Sequence, residues 1–94
     1  MEPMTSETFE KIIGEKIIVD TRSSWVYIGE LEKALDDCIV LSNVDVHDNN
    51  ETATSKEIYV LDSAKTGIKS NRNRVYINLA YVVSFSLLDD VKQF

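Results

Sequence analysis

The sequence predicts a small, mostly β protein of one domain: five short strands turned at sharp corners, a helix at the N-terminal end and a second helix before the fourth strand. Three observations predict it. The run Val75–Leu88, read VYINLAYVVSFSLL, is the most apolar stretch of the 94 residues, carries no charge, and divides into two β-prone pieces three residues apart. Gly29 stands inside the strand pattern Trp25–Leu31, where a glycine marks a bend or bulge of the kind barrels use at corners. Apolar residues at helical spacing, bracketed by capping residues, occur near the N-terminus and again between Thr54 and Gly67.

Thr5 and Ser6 are N-cap residues, Glu7 suits a first helical turn, and Phe9, Ile12 and Ile13 fall on one face. Gly14 is placed to stop the helix in a left-handed cap. The spacing predicts a helix over 5–13, too short to stand alone, so its apolar face must lie on the open end of a sheet. Ile17–Val19 is a first strand, ended by the polar turn Asp20–Ser24. Trp25–Leu31 is the second, Lys33–Asp37 a turn, and Cys38–Val46 the third. Asn49-Asn50 is turn chemistry. Thr54 or Ser55 then caps a helix in which Glu57, Ile58, Leu61, Ala64 and Lys65 keep the spacing and Gly67 ends it. The same stretch contains Ile58-Tyr59-Val60-Leu61, which has strand propensity, so helix and strand both stand as readings of 55–66, the helix being favoured. Val75–Ile77 is the fourth strand. Asn78-Leu79-Ala80 is too short for a roomy hairpin, so a tight corner sends the fifth strand, Tyr81–Leu88, away from the fourth. The last residues, Asp89–Phe94, are expected as a frayed tail.

The corner carries a resemblance. Ile77-Asn78-Leu79-Ala80-Tyr81-Val82-Val83-Ser84-Phe85 is similar to the second sequence motif of the Sm/LSm/Hfq superfamily, Ile-Arg-Gly-x-x-Val-x-x-Ile, with Ile77, Val82 and Phe85 as its apolar anchors. Asn78 and Leu79 stand where the family has Arg and Gly. Val75-Tyr76-Ile77-Asn78 also resembles the Val-Tyr-Lys-His of bacterial Hfq. Ile28, Gly29, Leu31 and Leu41 match the first Sm motif, whose turn carries an Asp and an Asn that address an RNA base; Asp36 or Asp37 is the acid here, and Cys38 or Asp37 falls at the Asn. The resemblance spans roughly residues 5–88. It implies a strongly bent, five-stranded antiparallel Sm-like (SH3-like) barrel with an N-terminal helix, as one domain over 1–94. The barrel strands lie within 16–88, and an insert over 48–72 is longer than a minimal Sm domain has. It also implies a homo-oligomeric ring of five to seven subunits, closed by pairing strand four of one copy with strand five of the next. The Tyr81–Leu88 strand, without the Lys or Pro that would blunt an edge, suits that role. Tyr76, Ile77, Val82, Val83 and Phe85 are the candidate interface residues.

Charge is unevenly placed. Of ten basic residues, four (Lys65, Lys69, Arg72 and Arg74) lie between Ser63 and Leu88, where there is no acid; the other six share the rest of the chain with all sixteen acids, a balance of −10 within a net −6. A segregated surface of this kind can hold a local basic patch, though a solvated basic loop has the same pattern. No apolar run reaches the length of a membrane span, and the N-terminus lacks the basic and apolar regions of a signal peptide. A lone cysteine, Cys38, suits a reducing compartment. The expectation is a cytoplasmic protein without a membrane partner.

Arg72-Asn73-Arg74 with Tyr76, Asn78 and Lys69 is the best binding candidate. Cations for phosphate, an aromatic face for a base and a carboxamide for a base edge make a workable single-strand site. The alternative is that Tyr76 is half in the core and the arginines pair with the abundant acids. Trp25, Tyr27 and Phe85 read as core or interface. Asp45, His47, Asp48 and Glu51 are possible metal ligands, but a site needs three or four converging groups and no second His or Cys lies nearby, so no metal is expected. Cys38 and His47 stand nine residues apart on one predicted strand, about 30 Å when extended, too far for a nucleophilic pair. With no phosphate loop or nucleophile elbow, the sequence predicts no enzyme and no cofactor. Two functions stand: a ring that binds single-stranded RNA weakly or selectively through Arg74, Tyr76 and Asn78, and a ring-shaped protein scaffold that has lost RNA.

Overall fold

Alternation of apolar and polar residues sets five strands in the computed structural model, which describes residues 5–50 and 55–92. They are β1 (Lys16–Thr21), β2 (Trp25–Ala34), β3 (Cys38–Asp48), β4 (Arg72–Asn78) and β5 (Val82–Leu87). All pair antiparallel in one sheet of order β4-β3-β2-β1-β5, so β4 and β5 are its two edges. Two helices accompany it, α1 (Ser6–Glu10) and α2 (Lys56–Thr66). The region 55–66 is therefore helix: Ser55 Oγ accepts the Ile58 N–H, and Gly67 ends the helix at φ 92°, where a side chain would be strained.

The inner face holds the main core. Phe9, Ile17, Val19, Leu31, Ile39, Leu41, Val44, Ile77 and Leu79 form one buried cluster to which α1 and β1–β4 contribute, with Phe85 and Leu87 of β5 packed against it. A sheet whose two edge strands share one core is curled, and Gly29 is where it turns. The β2–β3 register shifts between Ile28 and Glu30, and Asn43 opposite adopts φ 50°. The inward positions on β3 change there from Ile39 and Leu41 to Val44 and Val46. A β-carbon on Gly29 would stand 3.1 Å from both Ser42 O and Val44 Cγ2, so only glycine lets the strands approach so closely.

The helix expected over 5–13 is shorter than that. It ends at Glu10, and a turn carries the chain to Gly14, at φ 95°. The sheet takes over its hydrogen bonds: Gly14 N–H donates to Leu31 O, and Leu31 N–H to Glu15 O. Phe9, fully buried, packs its ring 4.5 Å from that of Phe85 at a 40° tilt and plugs the core.

The outer face carries a second cluster, Ile18, Val26, Ile28 and Leu88, roofed by Tyr59, Val60, Ala64, Ile68 and Val91. This corrects the expectation of a frayed tail from Asp89. Leu88–Asp90 form a one-turn 3-10 helix, and Leu88 and Val91 turn back onto the sheet because α2 leaves part of this apolar patch uncovered. Residues 93 and 94 lie outside the described residues.

Candidate nucleic-acid interface

β4 pairs with β3 through Cys38↔Asn78, Val40↔Tyr76, Ser42↔Arg74 and Val44↔Arg72. Strand alternation turns Val75 and Ile77 inward and aligns Arg72, Arg74, Tyr76 and Asn78 in one outward row. All four are exposed, and Tyr76 at 65% is the most exposed large apolar residue of the described chain, not half in the core. The row extends about 20 Å over six residue steps. Lys69, in the connection between α2 and β4, precedes the Arg72 end of the row in the chain, so the sequence candidates form a line rather than one pocket.

Three members of the row are held by neighbours. Arg74 reaches across β3 to β2, where its Nη2 lies 3.1 Å from Glu32 Oε1, so one arginine does pair with an acid. Arg72 donates instead to the carbonyl of Asn71. Asn78 Oδ1 accepts the Ala80 N–H at 2.9 Å and caps the 3-10 corner Leu79–Tyr81. Leu79 N–H donates to Asp37 O at 2.9 Å, locking the corner to the β2–β3 turn, while the Leu79 side chain is buried in the core. This explains both departures from the family motif: Asn78 caps the corner and Leu79 fills space beneath it.

Sequence reasoning missed Glu32 and Tyr81. Glu32 becomes a partner only through strand register, for which its neighbourhood in sequence gives no signal. Tyr81, 59% exposed, stands at the corner's end and gives its carbonyl to the Arg22 N–H. Among the candidate interface residues, Ile77 is 4% exposed, and Val82 and Phe85 are half-buried against the core. Val83 on β5 and Tyr76 on β4 remain exposed, one on each sheet edge.

Asp45 and His47 share the outer face of β3, but there the His47 ring stacks on Tyr59 of α2 at 3.8 Å and 11°. Asp48 is held below the usual carboxylate range, first by the Ser24 hydroxyl and then by the Asn50 N–H. Glu51 lies outside the described residues, among which no three His, Cys, Asp or Glu converge. The Tyr59 hydroxyl is buried without a partner of good hydrogen-bond geometry, and burial, with the neighbouring Asp45 carboxylate, raises its pKa. Partial burial and Asp37 push the Cys38 thiol up, away from the thiolate a nucleophile needs. No described helix is long and apolar enough to cross a membrane.

No family model and no characterised protein matches the sequence. Among solved structures, the fold is similar to that of the Pyrococcus abyssii Sm protein in complex with a uridine heptamer, with a TM-score of 0.58 at 12% identity, covering 86% of this chain and 93% of that one. The fold is Sm-like. With it come the five antiparallel strands in one sheet, the N-terminal helix and the helix before the last two strands, the last of these read from caps and helical spacing rather than from the motifs. At 12% identity the likeness is one of fold, and the departures at Asn78 and Leu79 belong to this chain.

Proposed function

We propose that this Sm-like chain is a non-enzymatic, cytoplasmic protein that assembles into a homo-oligomeric ring of five to seven subunits and binds single-stranded RNA weakly or selectively. The observation that carries the reading is the outward row of β4: two arginines, an exposed tyrosine and an asparagine along one open sheet edge. The similar Sm protein was solved with a uridine heptamer, which makes oligouridylate the first ligand to try. In this reading Arg72, Arg74 and Lys69 contact phosphate. Asn78, oriented by the corner, reads a base edge, and Tyr76 offers a stacking face. Ring closure pairs β4 of one copy with β5 of the next and removes both unpaired edges. Approach of RNA works against the acidic remainder of each subunit, so affinity is modest at physiological salt.

The test is a salt titration of labelled single-stranded oligouridylate against the protein. Arg74→Ala should lower affinity for all sequences alike and flatten the salt slope by about 0.7, the share of one phosphate that is no longer neutralised. No binding at low salt, where electrostatics are strongest, refutes the RNA reading. The second reading, a ring-shaped scaffold without RNA, is favoured by the Arg74–Glu32 pair, which occupies one cation of the row, and it survives that result.

A further inference from the structure

Beside the free edge of β5 lies an apolar groove that the RNA reading does not use. It runs between α2 and the outer face of β1 and β5, has a volume of about 410 Å³, and is lined by Ile18, Val60, Leu61, Val91 and Ser86. Ile58, on its lip, is 60% exposed. We infer that this groove is a socket for a second copy of the chain, filled by the Tyr76 ring projecting from that copy's β4. The inference rests on the ring reading, and it moves Tyr76 from stacking a base to holding the next protomer.

Geometry places the two together. Ser84 and Ser86 pair with Asp20 and Ile18, so they lie on the outer face with the groove. A strand added to the edge of β5 sits about 4.8 Å further out, with its own outward residues on that same face. For β4 those residues are Arg72, Arg74, Tyr76 and Asn78, of which only Tyr76 can fill an apolar slot. The groove rim carries Glu57 and Lys92, neither in an ion pair among the described residues, and in the incoming row Tyr76 stands between Arg74 and Asn78. Size agrees as well. A specific interface buries about 1,200–2,000 Å², and the six-residue edge of β5 supplies only part of that, so assembly must recruit the surface beside it.

The experiment is sedimentation velocity over a concentration series on the whole chain, as wild type, Ile58→Glu, Tyr76→Ala, Tyr76→Phe and the Ile58→Glu/Tyr76→Ala double variant, with thermal melts as the folding control. Ile58 and Tyr76 are exposed in the protomer, so each variant should melt like wild type at concentrations where all are dissociated. Ile58→Glu and Tyr76→Ala should each raise the concentration for half-assembly by about tenfold or more, as loss of a buried aromatic anchor does. The double variant should be no weaker than the weaker single, and Tyr76→Phe should assemble like wild type. Variants that assemble like wild type, or whose effects simply multiply, overturn the socket and leave the ring standing. A wild-type chain that stays monomeric overturns the ring, and the socket with it.

Discussion

Gly29→Ala tests whether the bend between β2 and β3 is what the fold depends on. The added β-carbon would stand 3.1 Å from Ser42 O, 3.1 Å from Val44 Cγ2 and 3.3 Å from Val44 Cα. Ordinary contacts of these kinds are about 3.3–3.6 Å to oxygen and about 3.5–4.0 Å to carbon, so each must open by a few tenths of an ångström. Two of the three atoms are backbone of the bulge at Asn43, which cannot move away by changing rotamer. Overpacking by one methyl costs about 1–3 kcal/mol. Reduced freedom of the unfolded chain returns about 0.4–1 kcal/mol, leaving a net loss of about 1–2 kcal/mol. For a domain of this size that lowers Tm by about 5–15 °C. Urea unfolding at one fixed protein concentration, followed by circular dichroism and by Trp25 fluorescence, measures it. A variant as stable as wild type, or more so, would refute the reasoning: the bulge would then yield freely and the glycine would have no packing reason.

Tyr59→Phe should leave the fold at least as stable at neutral pH, because the hydroxyl it removes is buried without a partner of good geometry. Since burial and Asp45 raise the native phenol above its ordinary value of 10.0, the folded state keeps its proton where the unfolded chain releases it. Wild-type stability should therefore fall as pH rises above about 10, and melts from pH 9 to 12 should show part of that fall missing in Tyr59→Phe. Val83→Asp and Phe85→Asp, two residues apart on β5, should separate assembly from folding. Val83 is 57% exposed, so its variant should remain folded and become monomeric by light scattering, whereas Phe85 packs on Phe9 and its variant should lose cooperative unfolding.

Elements governed by local periodicity were legible in the sequence, and so were both sharp corners. Gly29 marked the β2–β3 bulge because no other residue tolerates the approach of Ser42 and Val44, and the three residues after Ile77 left room only for a one-turn corner. The α2 helix was legible through Ser55 and Gly67 despite the strand-like Ile58–Leu61, because caps and spacing act together over eleven residues. Contacts set by register were not legible. Glu32 meets Arg74 only because β3 lies between their strands, and Leu88 and Val91 order the tail only because Ile18, Val26 and Ile28 make the outer face apolar too. The N-terminal helix was read too long because the turn after Glu10 hydrogen-bonds to β2, which helical spacing cannot foresee. In the candidate site, the residue types were legible but not their facing. Alternation along β4 places Arg72, Arg74, Tyr76 and Asn78 on one side, and only the buried Ile77 and half-buried Val75 decide that this side is outward.

The two unpaired sheet edges, β4 and β5, are the physical basis for proposing a ring. Native mass spectrometry of the purified chain at micromolar concentration, in volatile buffer with and without a short single-stranded RNA, addresses that claim in one measurement. The account predicts a single assembly of five to seven subunits, carrying RNA when RNA is present at low salt. A monomer under both conditions would contradict it.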